Sequence, residues 1–308
     1  MESALTDSDN LFEQLQGLTT EARNPRTQGI DLASAAQILE LMNAEDRTVA
    51  EAVGGAIPDI ARAVERVVSS LKAGGRLVYA GAGTSGRLGV IDAAECPPTF
   101  GTDPAMVVGL IAGGRETVFL SKEGIEDHAD WGERDVEEAG VGAKDTLVGI
   151  AASRRTPYVL GALARARSLG AGTVFVRCND GPAPEVDVVV TVVPGPEAIT
   201  GSTRLKAGTA QKMVLNMIST ASMVKLGKVY ENLMVDLRPN SNKLIERGRG
   251  IVMSLCGLDY DAAAAVYEAS GRNVKTAVVM QRLGLERAPA EEKLVQAEGF
   301  LARALGER

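Results

Sequence analysis

The sequence predicts an α/β fold: a doubly wound parallel five-stranded sheet flanked by helices, followed by a small C-terminal helical domain. Three observations predict it. Five short apolar runs, at 77–80, 106–111, 146–151, 173–176 and 186–193, alternate with helical stretches. The runs are continuous in hydrophobicity rather than alternating, which suits strands covered on both faces. Strands that alternate with helices build a parallel sheet. Beyond these runs, 243–308 reads as several short helices.

Before the first strand the pattern is helical. In 32–42 the apolar residues Leu32, Ala35, Ala36, Leu39 and Met42 recur at helical spacing, and 57–71 repeats the pattern until Gly74-Gly75 ends it. After the fifth strand a loop rich in Gly, Ser and Thr leads into a helix over about 205–226. Met213, Leu215, Met217, Met223 and Val224 give that helix an apolar surface. The turn-forming run Arg238-Pro239-Asn240-Ser241-Asn242 is the best linker, which sets domains of 1–240 and 241–308. Asp259-Tyr260-Asp261 before an Ala-rich run reads as a helix start.

Composition narrows the functional classes. With 308 residues, 45% of them hydrophobic and 24% charged, the chain can bury a large core without disulfides or a structural metal. A net charge of −7 argues against nucleic acid as a partner, since phosphate backbones require clustered Lys and Arg. A small phosphorylated ligand needs only a local pocket. The three cysteines, Cys96, Cys178 and Cys256, lack metal-ligand spacing and read as reduced cytosolic thiols. The start of the chain, 1–16, is polar and is not a signal peptide. No apolar run approaches the roughly 20 residues of a membrane span. The expectation is therefore a cytoplasmic protein with no membrane partner. With His128 the single histidine, neither a His-rich metal site nor a Ser-His-Asp triad is expected. Acid–base work falls to carboxylates, Lys, Tyr or that one imidazole.

Three strand-to-helix loops carry candidate ligands. Gly81-Ala82-Gly83-Thr84-Ser85-Gly86-Arg87 follows the first strand directly. Its glycines let the backbone approach a ligand, the next helix offers free N–H groups, and Thr84 and Ser85 add hydroxyls; Gly83, Thr84 and Ser85 thus form a candidate phosphate cradle. The run also matches the dinucleotide pattern G-x-G-x-x-G. That fingerprint wants an acid after the second strand, where Ala112-Gly113-Gly114-Arg115 stands instead. A purely structural glycine turn stays open. The second loop, Ala152-Ser153-Arg154-Arg155-Thr156-Pro157, presents Ser153, Arg155 and Thr156 where Pro157 suits the first turn of a helix. The third, 196–209, is dense in hydroxyls and contributes Glu197, Ser202 and Lys206; Glu197 reads equally as a sugar-hydroxyl acceptor or a solvated loop acid.

Two acids need separate weighing. Glu95 lies in Asp92-Ala93-Ala94-Glu95-Cys96-Pro97-Pro98-Thr99, where Pro97 and Pro98 are expected to stop the helix. A carboxylate at that end faces the negative pole of the helix dipole, which suits a tuned base, although an exposed helix-end Glu is the commoner case. Glu126, in Glu123-Gly124-Ile125-Glu126-Asp127, reads from its spacing as part of a solvated acidic face.

Together these segments resemble one family. The motifs are Thr20-Glu21-Ala22-Arg23-Asn24-Pro25, the first glycine loop, the run from Asp92 to Thr99, the run from Glu123 to Asp127, Arg155-Thr156-Pro157-Tyr158-Val159, the stretch from Thr200 to Lys212, and Asn232-Leu233-Met234-Val235-Asp236. In that order they resemble the N-acetylmuramic acid 6-phosphate etherases, from about Thr20 to Leu305. The resemblance implies a sugar-isomerase (SIS) domain, a homodimer with active sites near the subunit interface, and no metal or organic cofactor. It implies cleavage of a lactyl ether to N-acetylglucosamine 6-phosphate and D-lactate, in recycling of cell-wall sugars. It places the acid/base glutamate on Glu95 and a second functional glutamate on Glu126. One departure stands out: the family's usual Ser-Gly-Arg-Thr is Ser153-Arg154-Arg155-Thr156 here, which leaves the ligands of the second loop less defined. Two rival classes share the ancestry. One is a non-catalytic sugar-phosphate sensor such as the glucokinase regulatory protein; the other is an aldose–ketose isomerase.

Overall fold

The computed structural model of the chain describes residues 17–307; the polar stretch 1–16, read above as no signal peptide, lies outside the described residues. The packing divides into two compact units. One comprises the chain up to Ala93 together with Val107–Ile218; the other comprises Ala94–Met106 together with the chain from Ser219 onward.

The first unit is built on the five expected strands: β1 (Leu77–Gly81), β2 (Val107–Ile111), β3 (Thr146–Ala151), β4 (Gly172–Arg177) and β5 (Val188–Thr191). All pair in parallel, in the order β2-β1-β3-β4-β5. Every residue of β1, β3 and β4 is buried, whereas the edge strands β2 and β5 are partly open. The continuous apolar runs mark the covered centre of the sheet for that reason.

Helices α1 (Ala35–Gly55) and α2 (Ile57–Lys72) precede β1. Ile60, Ala63, Val64, Val67 and Leu71 of α2 are all buried. Each larger one contributes roughly 1.5–3 kcal/mol of transfer free energy. In α1 the expected apolar stripe is not the buried one. The helix starts at Ala35, capped by Ser34 and Gln37, and runs to Gly55, burying Val49, Val53 and the carboxylate of Glu45. Leu32 and Leu39 are 88% and 66% exposed. Their spacing is helical, but among the described residues nothing covers that face.

Between the strands lie α3 (Gly83–Phe100), α4 (Ala129–Glu138) and α5 (Pro157–Ser168); α6 (Lys206–Lys225) follows β5. The expected stop at Pro97-Pro98 does not occur, because α3 continues to Phe100. Each proline holds a helical φ but gives up one N–H bond, and the helix extends only two residues beyond Pro98. Gly101, at φ 63°, ends the helix by donating its N–H to the Pro97 carbonyl at 3.0 Å. Glu95 therefore sits inside the helix, exposed, and not at its terminal turn.

The second unit carries α7 (Asn242–Cys256), α8 (Tyr260–Ala269), α9 (Val274–Leu283), α10 (Arg287–Gln296) and α11 (Leu301–Ala304). Ser241, Asp259 and Asn273 cap the first three: each side chain accepts a backbone N–H of the first turn. Val252, Tyr267 and Val278 are among its fully buried core residues. Among the described residues, no helix is long and apolar enough to cross a membrane.

Candidate active site

The strand order fixes where a ligand belongs. The chain passes from β1 outward to β2, then returns to the other side of β1 as β3. The loops after β1 and β3 thus diverge at a topological switch point, where open α/β sheets hold their ligands beyond the strands' carboxyl ends. Gly81 and Ile150 are partners in the register, so both loops leave the sheet at one level.

A cavity of about 280 Å³ lies there. Gly83, Thr84, Ser85 and Arg87 line it from the first loop, Ser153 and Thr156 from the second, and Thr117, Ser121, Lys122 and Glu126 from the segment after β2. Glu123, Thr20, Glu21 and Thr203 complete the polar wall.

The first loop is held by close backbone approach. A Cβ on Gly86 would lie 2.5 Å from the Gly81 carbonyl oxygen and 2.7 Å from Ile111 Cγ1, so no other residue fits without displacing the sheet end. Arg87 donates to the carbonyls of Val118 at 2.9 Å and Thr117 at 2.7 Å, and to Ser121 Oγ at 3.1 Å. It thereby draws the segment after β2 onto the start of α3. Ser85, almost fully buried, donates its hydroxyl hydrogen to Gln211 Oε1 of α6 at 2.9 Å.

The second loop is held by side chains. Pro157 is the first residue of α5, and the Thr156 hydroxyl makes no capping bond to the helix. It meets Ser153 Oγ at 3.4 Å, and Ser153 Oγ accepts the Arg155 N–H at 3.2 Å. Arg154 turns away from the cavity. It donates to the Asp180 carbonyl at 2.8 Å and lies across Gly181. Arg177 braces the same turn through the carbonyls of Gly181 and Pro182. Asn179 ties the second loop to the N-terminal turn, donating to the Ala152 carbonyl and to Thr20 Oγ1, both at 2.9 Å.

Chemically, two helix N-termini and a set of hydroxyls that includes Thr84, Ser85, Ser153 and Thr156 face one cavity. That arrangement suits a phosphate group, since unsatisfied N–H donors and the positive helix pole favour an anion. Glu126 adds a carboxylate to the same wall.

Comparison with known proteins decides the family. The chain is 51% identical over 302 residues to N-acetylmuramic acid 6-phosphate etherase 2 of Vibrio cholerae, covering 97% of this chain and 98% of that protein. It is 53% identical over 304 residues to the N-acetylmuramic acid 6-phosphate etherase of Salinibacter ruber, covering 98% of each. The chain belongs to the N-acetylmuramic acid 6-phosphate etherase family. A Geobacillus etherase, 53% identical over 293 residues, spans 94% of this chain and 99% of its own. Residues 59–167 also match the sequence model of the glucokinase regulatory protein N-terminal SIS domain.

Within this etherase-family chain the sequence-derived residues divide into three groups. Gly83, Thr84, Ser85, Ser153, Thr156 and Glu126 share the cavity. Glu95 falls in the second unit and does not line it. Arg155, Glu197, Ser202 and Lys206 do not line it either. Arg155 keeps Nη1 buried, with no hydrogen-bond partner among the described residues. Glu197 is fully buried, and its two oxygens accept the N–H groups of Lys206 and Ala207 at 2.8 and 2.9 Å. Burial pushes its carboxyl above the ordinary range, against the pull of those N–H groups. Lys206 is fully buried as well, with Nζ 2.8 Å from Glu45 and 3.2 Å from the Pro196 carbonyl. Arg26 also pairs with Glu45. The bidentate Arg26 contact is the largest influence on Glu45, and it holds that carboxyl at about 2, against the opposing effect of burial.

Several cavity residues carried no assigned role in the sequence, among them Thr20, Glu21, Lys122 and Thr203. The first two stand in the motif at the start of the resemblance, and Thr203 stands in the third loop, so a signal was present without a function attached. Among the described residues, no group of three or more His, Cys, Asp or Glu is placed to hold a metal ion.

Proposed function

We propose that this chain is an N-acetylmuramic acid 6-phosphate etherase, a carbon–oxygen lyase releasing D-lactate and N-acetylglucosamine 6-phosphate. The observation that carries the reading is a hydroxyl-rich cavity at the switch point, holding Glu126, in a chain over 50% identical along its length to proteins of that name. The phosphate sits against Thr84, Ser85, Ser153 and Thr156. Binding energy gathered there orients the far end of the sugar for reaction.

The chemistry follows from the open-chain aldehyde, whose carbonyl acidifies the hydrogen on the neighbouring carbon, C2. Glu95 removes that proton, in a role assigned by its place in the Asp92-to-Thr99 motif. The electron pair forms the C2–C3 double bond, the C3–O bond breaks, and lactate leaves with the ether oxygen. Water then adds, its hydroxyl to C3 and its proton to C2. Glu126 assists proton transfer to the leaving group and from water. Oxygen from the solvent ends in the sugar and not in the lactate.

The reading includes a homodimer working in the cytoplasm on cell-wall sugars under recycling. The exposed stripe of Ala35, Ala36 and Leu39 on α1 supports a second subunit covering that face.

The match to a regulatory-protein SIS domain favours one alternative, a sensor that binds sugar phosphates without turnover. The test is D-lactate release from N-acetylmuramic acid 6-phosphate by wild type, Glu95→Gln and Glu126→Gln. The etherase reading expects release by wild type, a loss of at least about 100-fold in Glu95→Gln, and a smaller loss in Glu126→Gln. A folded wild type that binds the sugar phosphate and releases nothing is a sensor.

A further inference from the structure

Ser85 and Gln211 form a buried pair whose polarity matters to any anion in the cavity. Ser85 Oγ donates to Gln211 Oε1 at 2.9 Å. Gln211 is 1% exposed, and its Nε2 has no hydrogen-bond partner among the described residues. In this arrangement Ser85 has given its single proton away and shows only lone pairs to the cavity. A phosphate dianion also carries only lone pairs, so the two oxygens repel.

Rotation of the Gln211 amide by half a turn reverses the pair. The two ends of the amide have the same shape and differ only in hydrogen-bonding sense. Nε2 then donates to Ser85 Oγ, and the Ser85 proton is released toward the cavity. The rotation also costs little at the other end. As it stands, both N–H groups of the amide are unused; after rotation, one N–H and the carbonyl oxygen are. Unpaired carbonyls are tolerated somewhat better than unpaired N–H groups.

We infer that Gln211 is a positioning residue that sets the sense of the Ser85 hydroxyl: Ser85 donates to Gln211 when the cavity holds no anion, and accepts from Gln211 while donating to the ligand when a phosphate dianion enters. The inference rests on the sugar-phosphate reading of the cavity, and it concerns binding, not the elimination step. It also explains why a helix outside the cavity wall carries a fully buried amide beside a ligand hydroxyl.

The test compares Gln211→Glu, Gln211→Leu and Ser85→Ala by calorimetric binding of inorganic phosphate and of N-acetylglucosamine 6-phosphate, with melting curves for each. Steady-state kinetics are added for KM and kcat. A carboxylate at 211 can only accept, so it locks Ser85 in the wrong sense. Gln211→Glu should weaken both ligands about 10- to 100-fold, the worth of one hydrogen bond to a charged group. The loss should appear in KM with kcat retained, should not add to that of Ser85→Ala, and should recover as acid protonates the new carboxyl. Gln211→Leu leaves Ser85 unheld but free to donate, so its loss should be smaller than that of Ser85→Ala. If Gln211→Glu does not fold, the order of Gln211→Leu and Ser85→Ala decides alone. Wild-type phosphate affinity in Gln211→Glu overturns the inference, as does a Gln211→Leu loss equal to that of Ser85→Ala. Failure of D-lactate release with the affinity changes intact overturns the etherase reading and leaves this one standing.

Discussion

The two loops at the switch point face the same cavity but are built on different principles. The first is fixed by its backbone: Gly81 and Gly86 touch, and Arg87 and Gln211 hold it from either side. The second contains no glycine between Ala152 and Thr156 and is assembled from side-chain contacts, Ser153 to Thr156 and Arg154 to Asp180. A backbone contact has no rotamer to yield, so substitution there propagates into the sheet. A side-chain contact can be exchanged for another. Arg154 has no left-handed backbone to maintain, since it is not among the positive-φ residues.

The largest effect expected from this contrast is at Gly86. In Gly86→Ala the new methyl meets a backbone carbonyl and the side chain of Ile111 at the same time. The strain should cost roughly 3 kcal/mol or more, the upper range for overpacking, and should abolish phosphate binding. Thermal melting and phosphate titration check it. A Gly86→Ala protein melting within a degree of wild type would show that the first loop is as adaptable as the second.

A second strong effect lies beneath the first loop, where α6 begins. Lys206 and Glu45 are buried together at the start of the helix that carries Gln211. Glu45→Gln leaves the Lys206 ammonium buried without its carboxylate, and breaking such a pair costs about 3–5 kcal/mol. The pH dependence has a definite sign. Glu45 is held at about 2 in the folded chain, against 4.5 when unperturbed. Its contribution is therefore present in full above pH 4.5 and is lost as pH falls toward 2. Arg26 is 59% exposed, so solvent screens its share of the stabilisation. Glu197 is shifted the opposite way by burial, so its slope lies above its ordinary value and outside this window. Urea unfolding from pH 5 to 2 should show a steep loss in wild type and a flatter one in Glu45→Gln. Parallel slopes would mean that Glu45 does not govern the window.

The same contrast explains what the sequence disclosed. Strand positions were legible because β1, β3 and β4 are covered on both faces, and continuous burial writes itself as continuous Val, Ile and Leu. The first loop was legible because backbone contact demands glycine at fixed spacing. Side-chain arrangements left weaker marks. Glu197 and Lys206 stand in a hydroxyl-rich loop and read as ligands, yet they bond to protein groups, since the sequence does not say which way a loop side chain turns. Gln211 stands in the Thr200-to-Lys212 run but carried no role there, because one amide in a helix breaks no period. Pro97-Pro98 read as a stop because each proline costs an intrahelical bond, and the helix runs only two residues beyond them, to Phe100. Leu32 and Leu39 had the correct period for a buried face, but periodicity shows that a face is apolar, not that this same chain covers it.

The smallest effects belong to the second loop, and their order sharpens the comparison. Ser85→Ala removes a hydroxyl whose place is set by Gln211 and should raise KM about 10- to 100-fold. Ser153→Ala removes one whose neighbour Thr156 lies 3.4 Å away and can take over the contact, so about a threefold to tenfold rise is expected. Arg154→Gly gives up a bond to the Asp180 carbonyl. It frees the unfolded backbone as well, so stability should fall by about 1 kcal/mol with KM changed less than about threefold. The Arg154 guanidinium points toward Asp180 and Gly181, and a loss of phosphate affinity as large as that of Ser85→Ala would require it to swing back into the cavity when the ligand binds. Such a result would make the second loop the mobile half of the site and the first its fixed reference.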